Sequence, residues 1–205
     1  GLKKQSKRYK VNNMFVFNKH IKKNYDNFVN SKFHIIGGVK SNFFRVKKSK
    51  KKYDLLYIST FRDRNLNEKI SNKINYSDII KIQEKVVKIL VRYAKKNNLK
   101  LFILGAKKNN LNEYNFYKNL IDKNQFRYLD HDPNQTYLRI DLSKLVVSMD
   151  STLTYETISR GSKLVVFDFK YKLCQTIRSR KFGWPKKLDK NGFFWTSSEN
   201  YKDCS

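Results

Sequence analysis

The chain has 205 residues, of which 40% are hydrophobic and 15% aromatic, so it can form one α/β domain with a packed core. Its net charge of +28 favours an anionic partner (a phosphorylated substrate, nucleic acid or a membrane surface), although lysines spread along the whole chain are also typical of solvated helix faces. Two isolated cysteines exclude a disulfide framework or a zinc site and favour a reducing compartment, and no apolar run approaches the ~20 residues that cross a bilayer.

The first part of the chain is predicted to contain a basic tail, one helix and short strands. Residues 1–14 are expected to form the tail, and residues 15–205 one folded α/β domain. The elements expected next are an apolar segment at Phe15–Phe17, a helix within His20–Val29, and a strand at Phe33–Ile36 that ends at Gly37-Gly38. The Lys47–Lys52 cluster is the densest basic patch and would favour an anionic lipid leaflet.

From Tyr53 onward, helices and strands alternate. A buried strand is predicted at Tyr53–Ser59, because its apolar residues occupy successive positions as in parallel sheets. The elements that follow are a helix over Ser77–Asn97 with Ser77 as its cap, a strand at Leu99–Leu104, a helix at Glu113–Asp122, a strand at Phe126–Leu129, a helical turn within Gln135–Leu142, and a strand–turn–helix–strand unit over Leu145–Phe169. The aromatic residues after Lys181 are expected to pack in an irregular segment with one edge strand. Since crossovers join parallel strands, this order predicts an α/β fold with a doubly wound parallel sheet and helices on both faces.

In an open parallel sheet, ligands bind beyond the carboxyl ends of the strands. The predicted strand ends that carry polar residues or glycine are Ser59–Arg62, Gly105–Lys108 and Ser148–Thr152. We expect these loops to converge on one crevice if their strands are neighbours. Gly105 would let the backbone approach a ligand closely. Arg62 and Lys107 would pair with a diphosphate or a carboxylated sugar, unless they are ordinary surface cations.

The third of these loops carries the most specific pattern. Ser151 or Thr152 can cap the following helix, and the N–H groups of its first turn can hold a phosphate oxygen. Glu156 lies roughly one and a half turns further on, where a carboxylate suits a ribose diol. The alternative is an ordinary helix cap, with Glu156 as a solvated surface residue.

Other patterns argue against metal binding, NTP hydrolysis and redox chemistry. The histidines are scattered without the spacing of metal ligands, so we expect no metal site. The Asp130–Asp132 segment precedes a proline and is interpreted as a polar turn. The sequence has no Walker-type loop and no GxGxxG fingerprint, which argues against NTP hydrolysis and dinucleotide chemistry.

Several of these segments resemble the carboxyl-terminal half of bacterial surface-polysaccharide biosynthesis transferases, which are GT-B-type glycosyltransferases of the lipopolysaccharide, O-antigen and capsule kind. The matching segments, which lie between about Phe15 and Trp195, are YDLLYISTFR, LKLFILGAK, NEYNFY, VVSMDSTLTYETISRGSKLVVFDF and FGWP…GFFW. The most specific piece is D-S-T-x-x-Y-E-x-x-x-R-G at Asp150–Gly161. Similar S-T-x-x-x-E turns occur in sialic-acid and Kdo-type transferases and in nucleotide-sugar 2-epimerases, so the motif indicates the superfamily better than the substrate.

The resemblance implies a donor-binding role for eight residues. Ser151 and Thr152, preceded by Asp150 in the motif, would contact the donor phosphate, and Glu156 would contact ribose or sugar hydroxyls. The residues that would line the same cleft are Ser59, Arg62, Gly105 and Lys107. Enzymes of this kind generally need no metal or other cofactor, since helix N-termini and cationic side chains stabilise the departing phosphate.

The resemblance also implies a partner domain. A GT-B enzyme has two Rossmann-like domains, and the amino-terminal one carries most of the acceptor site and the usual catalytic base. Only one such domain fits this chain, which begins at Gly1. We therefore expect the chain to be the donor-binding half of a longer protein.

The resemblance thus predicts a glycosyltransferase that moves a sugar from a nucleotide-sugar donor to a lipid-linked or polysaccharide acceptor. We expect it in the cytoplasm, with peripheral contact at the anionic inner face of the cytoplasmic membrane. One alternative is a nucleotide-sugar epimerase or hydrolase on the same fold. Another is a basic nucleic-acid-binding domain, but the dispersed charge and the absence of RRM, KH and helix-turn-helix patterns argue against nucleic acid as the partner.

Overall fold

The structure, a computed structural model, describes residues 9–46, 49–71, 74–149, 151–167 and 195–196. The chain divides into two compact units, residues 1–45 and residues 46–205. In the described part of the chain, no helix combines the length and the apolar character needed to cross a membrane.

Unit 1 (residues 1–45) is a strand–helix–strand unit. Its elements are β1 (Tyr9–Val16), α1 (Lys19–Asp26), β2 (Val29–Ile35) and the short α2 (Val39–Asn42). The two strands pair in parallel, and a register irregularity separates the Lys10–Asn30 pair from the Asn13–Lys32 pair. Asn18 caps α1, because its Oδ1 accepts the N–H of Ile21 at 2.9 Å.

Unit 1 differs from the sequence expectation at its start. The predicted tail covers residues 1–14, whereas residues 9–14 lie in β1 and form a ladder with β2; residues 1–8 lie outside the described part. Strand pairing between residues that are about 20 positions apart was not visible in the polar sequence of β1. The compact units accordingly divide at residue 45 and not at residue 14.

Unit 2 (residues 46–205) contains the large sheet. Its elements are β3 (Tyr53–Ile58), β4 (Lys69–Ser71), β5 (Ile74–Asn75), α3 (Tyr76–Lys96), β6 (Leu101–Leu104), α4 (Leu111–Leu120), β7 (Phe126–Leu129), α5 (Pro133–Asp141), β8 (Ser143–Ser148), α6 (Leu153–Ser159), β9 (Leu164–Phe167) and β10 (Trp195–Thr196). Strands β4 and β5 form a small antiparallel pair. The other strands form one parallel sheet in the order β10-β9-β8-β3-β6-β7.

This strand order confirms the predicted fold class. The chain starts in the middle of the sheet at β3, runs outward through β6 to β7, and returns to β8 on the other side of β3 before it continues outward. Numbered from β3 along the chain, the order is 3-2-1-4-5-6, which is that of the Rossmann-like doubly wound fold. The direction of winding reverses between β3 and β8, so this pair marks the topological switch point of the sheet.

Both faces of the sheet are covered by helices, as predicted. Leu55 and Tyr57 of β3 pack in the cluster that includes α3 and α4, whereas Leu56 and Ile58 pack in the cluster that includes Ile140 of α5. Successive side chains of a strand point to opposite faces, so a strand buried on both sides must be apolar at every position. This explains the continuous apolar run that β3 shows in the sequence.

Two helices begin at residues other than the predicted ones. Helix α3 begins at Tyr76 with Asn75 as its cap, and not at Ser77: the Asp78 carboxylate accepts the Asn75 N–H at 3.0 Å. Helix α4 begins at Leu111, two residues before the predicted Glu113, because Asn110 Oδ1 caps it. These asparagines share the chemistry of the serine that was expected to cap α3, so residue type alone did not distinguish them.

The Asp130–Asp132 segment forms the polar connection between β7 and α5. Asp130 accepts the N–H of Asn109 with both carboxylate oxygens, at 2.9 and 3.1 Å. Asp132 caps α5 by accepting the N–H of Asn134 at 2.8 Å, and Pro133 follows at the start of the helix. In the part of the chain that the structure describes, no group of three or more His, Cys, Asp or Glu residues could hold a metal ion.

Candidate functional site

The three loops that the sequence singled out leave three neighbouring strands. Strand β3 lies between β8 and β6, and all three run in the same direction, so their carboxyl ends share one edge of the sheet. The ends are level: the Ser59 N–H donates to the Leu104 carbonyl at 3.0 Å, and Tyr57 pairs with Val147. The loops therefore meet at the switch point, which is where open α/β sheets bind ligands.

The β8–α6 loop presents hydroxyl groups at this edge. Ser151 Oγ accepts the N–H of Leu153 at 3.3 Å, whereas Thr152 occupies the N-cap position, makes no capping hydrogen bond and is exposed. Behind the loop, the Thr154 hydroxyl donates to Ser148 Oγ at 2.9 Å, and this buried contact holds the first turn of α6 against the end of β8. Asp150 lies outside the described residues.

Glu156 is half-buried and hydrogen-bonded, and so is not the solvated residue of the alternative interpretation. The Tyr137 hydroxyl of α5 donates to Glu156 Oε2 at 2.7 Å. Burial is the main cause that raises the pKa of Tyr137, and the hydrogen bond to the carboxylate raises it further, so the phenol stays protonated as the donor. A carboxylate has capacity for further acceptor bonds, so this contact also orients Glu156. Whether Glu156 binds sugar hydroxyls stays a prediction.

One turn after Glu156, at the end of α6, Arg160 forms a buried ion pair with Asp141 of α5. Arg160 Nε and a terminal guanidinium nitrogen donate to the two carboxylate oxygens of Asp141 at 2.8 and 2.5 Å. The Arg160 guanidinium carbon lies 5.0 Å from the centre of the Tyr137 ring. A contiguous set of polar contacts therefore joins α6 to α5, and its members are Glu156, Tyr137, Arg160 and Asp141.

The β3 loop is held from behind by helix α3. Gln83 is fully buried, and its Nε2 donates to Thr60 Oγ1 at 3.1 Å. The Tyr76 hydroxyl accepts the N–H of Arg62 at 2.8 Å and donates to the carbonyl of Arg62 at 2.5 Å. These bonds fix the backbone of the loop and leave the Arg62 side chain exposed.

A buried polar cluster lies under the ends of β3 and β6. Glu113 of α4 is fully buried, and both its carboxylate oxygens lie 3.0 Å from the Ala106 nitrogen. Burial raises the pKa of the Glu113 carboxyl, while hydrogen bonds from the Ser59 hydroxyl and the Ala106 N–H act in the opposite direction. Ser59 Oγ also lies 2.7 Å from the Tyr117 hydroxyl.

Gly105 has a packing role in this cluster. A Cβ atom there would lie 2.2 Å from the Tyr128 hydroxyl oxygen and 2.8 Å from Tyr128 Cζ, so any side chain would overlap the tyrosine. The Tyr128 hydroxyl is buried, and burial together with the charge of the Glu113 carboxylate raises its pKa. The glycine was expected to give room to a ligand, but a neighbouring protein side chain already occupies that space. Lys107, two residues on, is exposed.

Sequence reasoning missed the residues that support the loops from below. They are Gln83, Glu113, Tyr117, Tyr128 and Tyr137. The segment NEYNFY, which is one of those that carry the resemblance, combines an acidic residue with aromatic ones, and this is the signal that could have pointed to Glu113. Only the three-dimensional structure shows that this glutamate turns inward while its neighbours on α4 are exposed.

A separate depression lies at the opposite, amino-terminal edge of the sheet. Its volume is about 810 Å³, and it is lined by residues that precede β3, by the end of α5 and by the end of α6. There, Lys51 Nζ donates to the carbonyl of Asp141 at 2.7 Å. None of the eight predicted site residues lines this depression.

The fold and the loops define a class of protein: a Rossmann-like α/β domain with hydroxyl-bearing and cationic loops grouped at its switch point. The chain belongs to the family described as "putative O-antigen biosynthesis protein", whose sequence model matches residues 1–204. No curated protein matches the chain. The family supports a role in O-antigen biosynthesis, and it thereby confirms the sequence resemblance at the level of surface-polysaccharide biosynthesis.

Proposed function

We propose that this protein is a glycosyltransferase, or the donor-binding domain of one, that transfers a sugar from a nucleotide-sugar donor to an O-antigen or related polysaccharide acceptor. The observation that carries the proposal is the meeting of the β8, β3 and β6 loops at the switch point of a Rossmann-like sheet. Membership of an O-antigen biosynthesis family supports a sugar-handling role for that edge.

The chemistry of the loops suits the phosphate part of such a donor. Ser151 and Thr152 supply hydroxyl donors, and Arg62 and Lys107 supply exposed cations on the neighbouring loops. Hydrogen bonds from neutral hydroxyls position an anion, while the cations stabilise the negative charge that grows on the leaving phosphate. In this proposal the donor needs no resident metal or other cofactor.

The sugar or ribose would be bound further along α6. Glu156 is oriented by Tyr137, and a carboxylate accepts two hydroxyl hydrogens of a diol. Asp150, next to the hydroxyl pair in the sequence, completes the proposed donor set, while Ser59 and Gly105 at the adjoining strand ends belong to the buried cluster beneath it. A catalytic base and an acceptor site would come from an amino-terminal partner domain, and the transfer would take place at the cytoplasmic face of the membrane on a lipid-linked or polysaccharide acceptor.

Isothermal titration calorimetry with a panel of nucleotide sugars and nucleoside diphosphates tests the proposal. We expect at least one to bind, and we expect Ser151→Ala combined with Thr152→Ala to weaken binding by about tenfold or more, because two hydrogen bonds to a charged group are lost. Thr152 is exposed and makes no capping bond, so its replacement leaves the fold intact.

The matched comparison is between two exposed lysines. Lys107→Ala removes a cation beside the proposed site, whereas Lys118→Ala removes one from the exposed side of α4. The first should weaken binding and the second should not. Equal binding in the hydroxyl double variant and in wild type would overturn the proposed site. Product analysis with and without a glycan acceptor then separates transfer from hydrolysis or epimerisation of the donor.

A further inference from the structure

Unit 1 differs from unit 2 in its balance of charges. Residues 1–45 contain 11 lysines and arginines but one acidic residue, Asp26, whereas residues 46–205 contain 34 basic and 16 acidic residues. The excess of positive charge per residue is therefore about twice as high in unit 1. An asymmetry of this kind indicates a partner with a dense negative charge.

Unit 1 also exposes an unusual amount of apolar surface. Phe15, Phe17 and Phe43 have exposed fractions of 64%, 62% and 81%. The other large hydrophobic residues exposed in the described part of unit 1 are Tyr9, Val11, Tyr25, Ile35, Ile36 and Val39. These nine exceed the six such residues in the described part of unit 2, which is the longer unit by far. Exposed apolar groups at this density mark an interaction surface.

The register of the two strands places basic and aromatic side chains together. Directly paired residues of a parallel ladder point to the same face, and the Asn13–Lys32 and Phe15–His34 pairs lie two positions apart on each strand. Lys32, His34 and Phe15 therefore share one face of the sheet. The ring centroids of Phe15 and His34 lie 5.2 Å apart, and His34 Nε2 lies 2.9 Å from Asn13 Oδ1.

Helix α1 also exposes both basic and aromatic side chains. Lys19, Lys22, Lys23 and Tyr25 are exposed, and none of its residues is fully buried. Its sequence, KHIKKNYD, thus offers cations and one aromatic ring to the surroundings and little to the interior of unit 1.

We propose that unit 1 binds the surface of an anionic lipid bilayer. Lysines are attracted to anionic headgroups, while exposed aromatic side chains are stable at the boundary between headgroups and acyl chains. Val11, Ile35, Ile36 and Val39 distinguish this partner from nucleic acid, which also attracts lysines and stacks on aromatic rings but gives aliphatic side chains no comparable apolar environment. The proposal rests on unit 1 alone and is independent of the sugar-nucleotide site in unit 2.

Sedimentation with lipid vesicles tests the proposal on the full chain. We expect binding to vesicles of phosphatidylcholine with one third phosphatidylglycerol, and little binding to pure phosphatidylcholine. Phe15→Ser combined with Phe17→Ser should lower the partition coefficient severalfold and make the remaining binding more sensitive to salt, because the apolar part is lost. Lys22→Glu combined with Lys23→Glu should lower it by about tenfold or more.

Matched variants in unit 2 provide the control. Lys88→Glu combined with Lys95→Glu changes the net charge equally on exposed positions of α3, and Leu111→Ser removes an apolar side chain that is 73% exposed. We expect these variants to bind vesicles within about twofold of wild type, since only the diffuse attraction of the whole charge changes. An equal loss in both lysine variants would overturn the proposal, because binding would then follow total charge.

Nucleic acid is the alternative partner, and the same protein variants test it. Filter binding of a single-stranded oligonucleotide is measured at the salt concentration of the vesicle assay. Tighter binding to the oligonucleotide than to the anionic vesicles, abolished by the two phenylalanine changes, would assign the surface to nucleic acid and overturn the bilayer proposal. Weaker oligonucleotide binding that is indifferent to those changes supports it.

Discussion

At the scale of single residues, the buried glutamate of α4 should contribute to the dependence of stability on pH. Burial raises the pKa of the Glu113 carboxyl in the folded protein above the ordinary value of 4.5, so the folded state holds this proton more tightly than the unfolded state does. The contribution of this group to stability is therefore greatest at low pH and is lost as the pH rises through and above 4.5.

The variant Glu113→Gln should remove this dependence. The amide keeps the shape of the side chain and does not ionise, so the free energy of unfolding of wild type should fall relative to that of the variant as the pH increases from 4 towards neutrality. Urea unfolding at several pH values measures the difference. Two parallel pH curves would show that Glu113 does not titrate in this way.

A second prediction at this scale concerns Gly105. Gly105→Ala should destabilise the protein by about 1–3 kcal/mol, because the new methyl group overlaps Tyr128. Tyr128→Phe removes the hydroxyl oxygen that the new methyl group would overlap, so it should recover part of the loss in the double variant. Urea unfolding of the four proteins measures the coupling, and additive changes would contradict the proposed contact.

At the scale of elements, the Asp141–Arg160 pair joins α5 to the end of α6. Arg160→Ala should destabilise the protein by about 3–5 kcal/mol, since the buried Asp141 carboxylate loses its partner. Asp141→Leu combined with Arg160→Met should be less harmful, because it leaves no buried charge unpaired. Thermal or urea unfolding distinguishes these outcomes.

An exposed ion pair is the control for this prediction. Arg64 and Glu68 lie 2.7 Å apart with more than a third of each side chain exposed, so Arg64→Ala should change stability by about 0.5 kcal/mol or less. If Arg64→Ala and Arg160→Ala have similar effects, burial does not determine the contribution of the Asp141–Arg160 pair.

The elements also show what the sequence could and could not predict. The order of strands and helices in unit 2 follows from hydrophobic periodicity, which depends only on near neighbours in the chain, and this is why α3 and β3 were predicted well. Strand order depends on contacts between distant segments. The position of the switch point, between β3 and β8, therefore became visible only in the structure.

The same distinction applies to the candidate site. The loops at Ser59, Gly105 and Ser151 were found because ligand loops follow strands, which is a local rule. The supports beneath them were missed, since nothing local shows that Glu113 turns inward or that Tyr137 reaches Glu156 from another helix. The reason for the glycine at position 105 was likewise a distant contact, with Tyr128 on β7.

At the scale of the whole molecule, the two units differ in how much they bury. Among the described residues of unit 1, the buried hydrophobic ones are Val16 and Val29, whereas β3 alone buries four. Amide hydrogens in β1 and β2 should therefore exchange with solvent faster than those in β3, β6 and β8. Hydrogen exchange followed by mass spectrometry measures this, and equal protection in the two units would contradict it.

The central position of β3 has a consequence for synthesis of the protein. One edge of β3 can pair with β6 once both strands have left the ribosome, but the partner of its other edge, β8, begins only at Ser143. Until then the nascent chain carries an open row of amide and carbonyl groups beside an apolar strand, a template for unwanted association. Chaperone binding to stalled chains should accordingly drop once translation has passed β8, and premature stop codons before it should yield insoluble fragments.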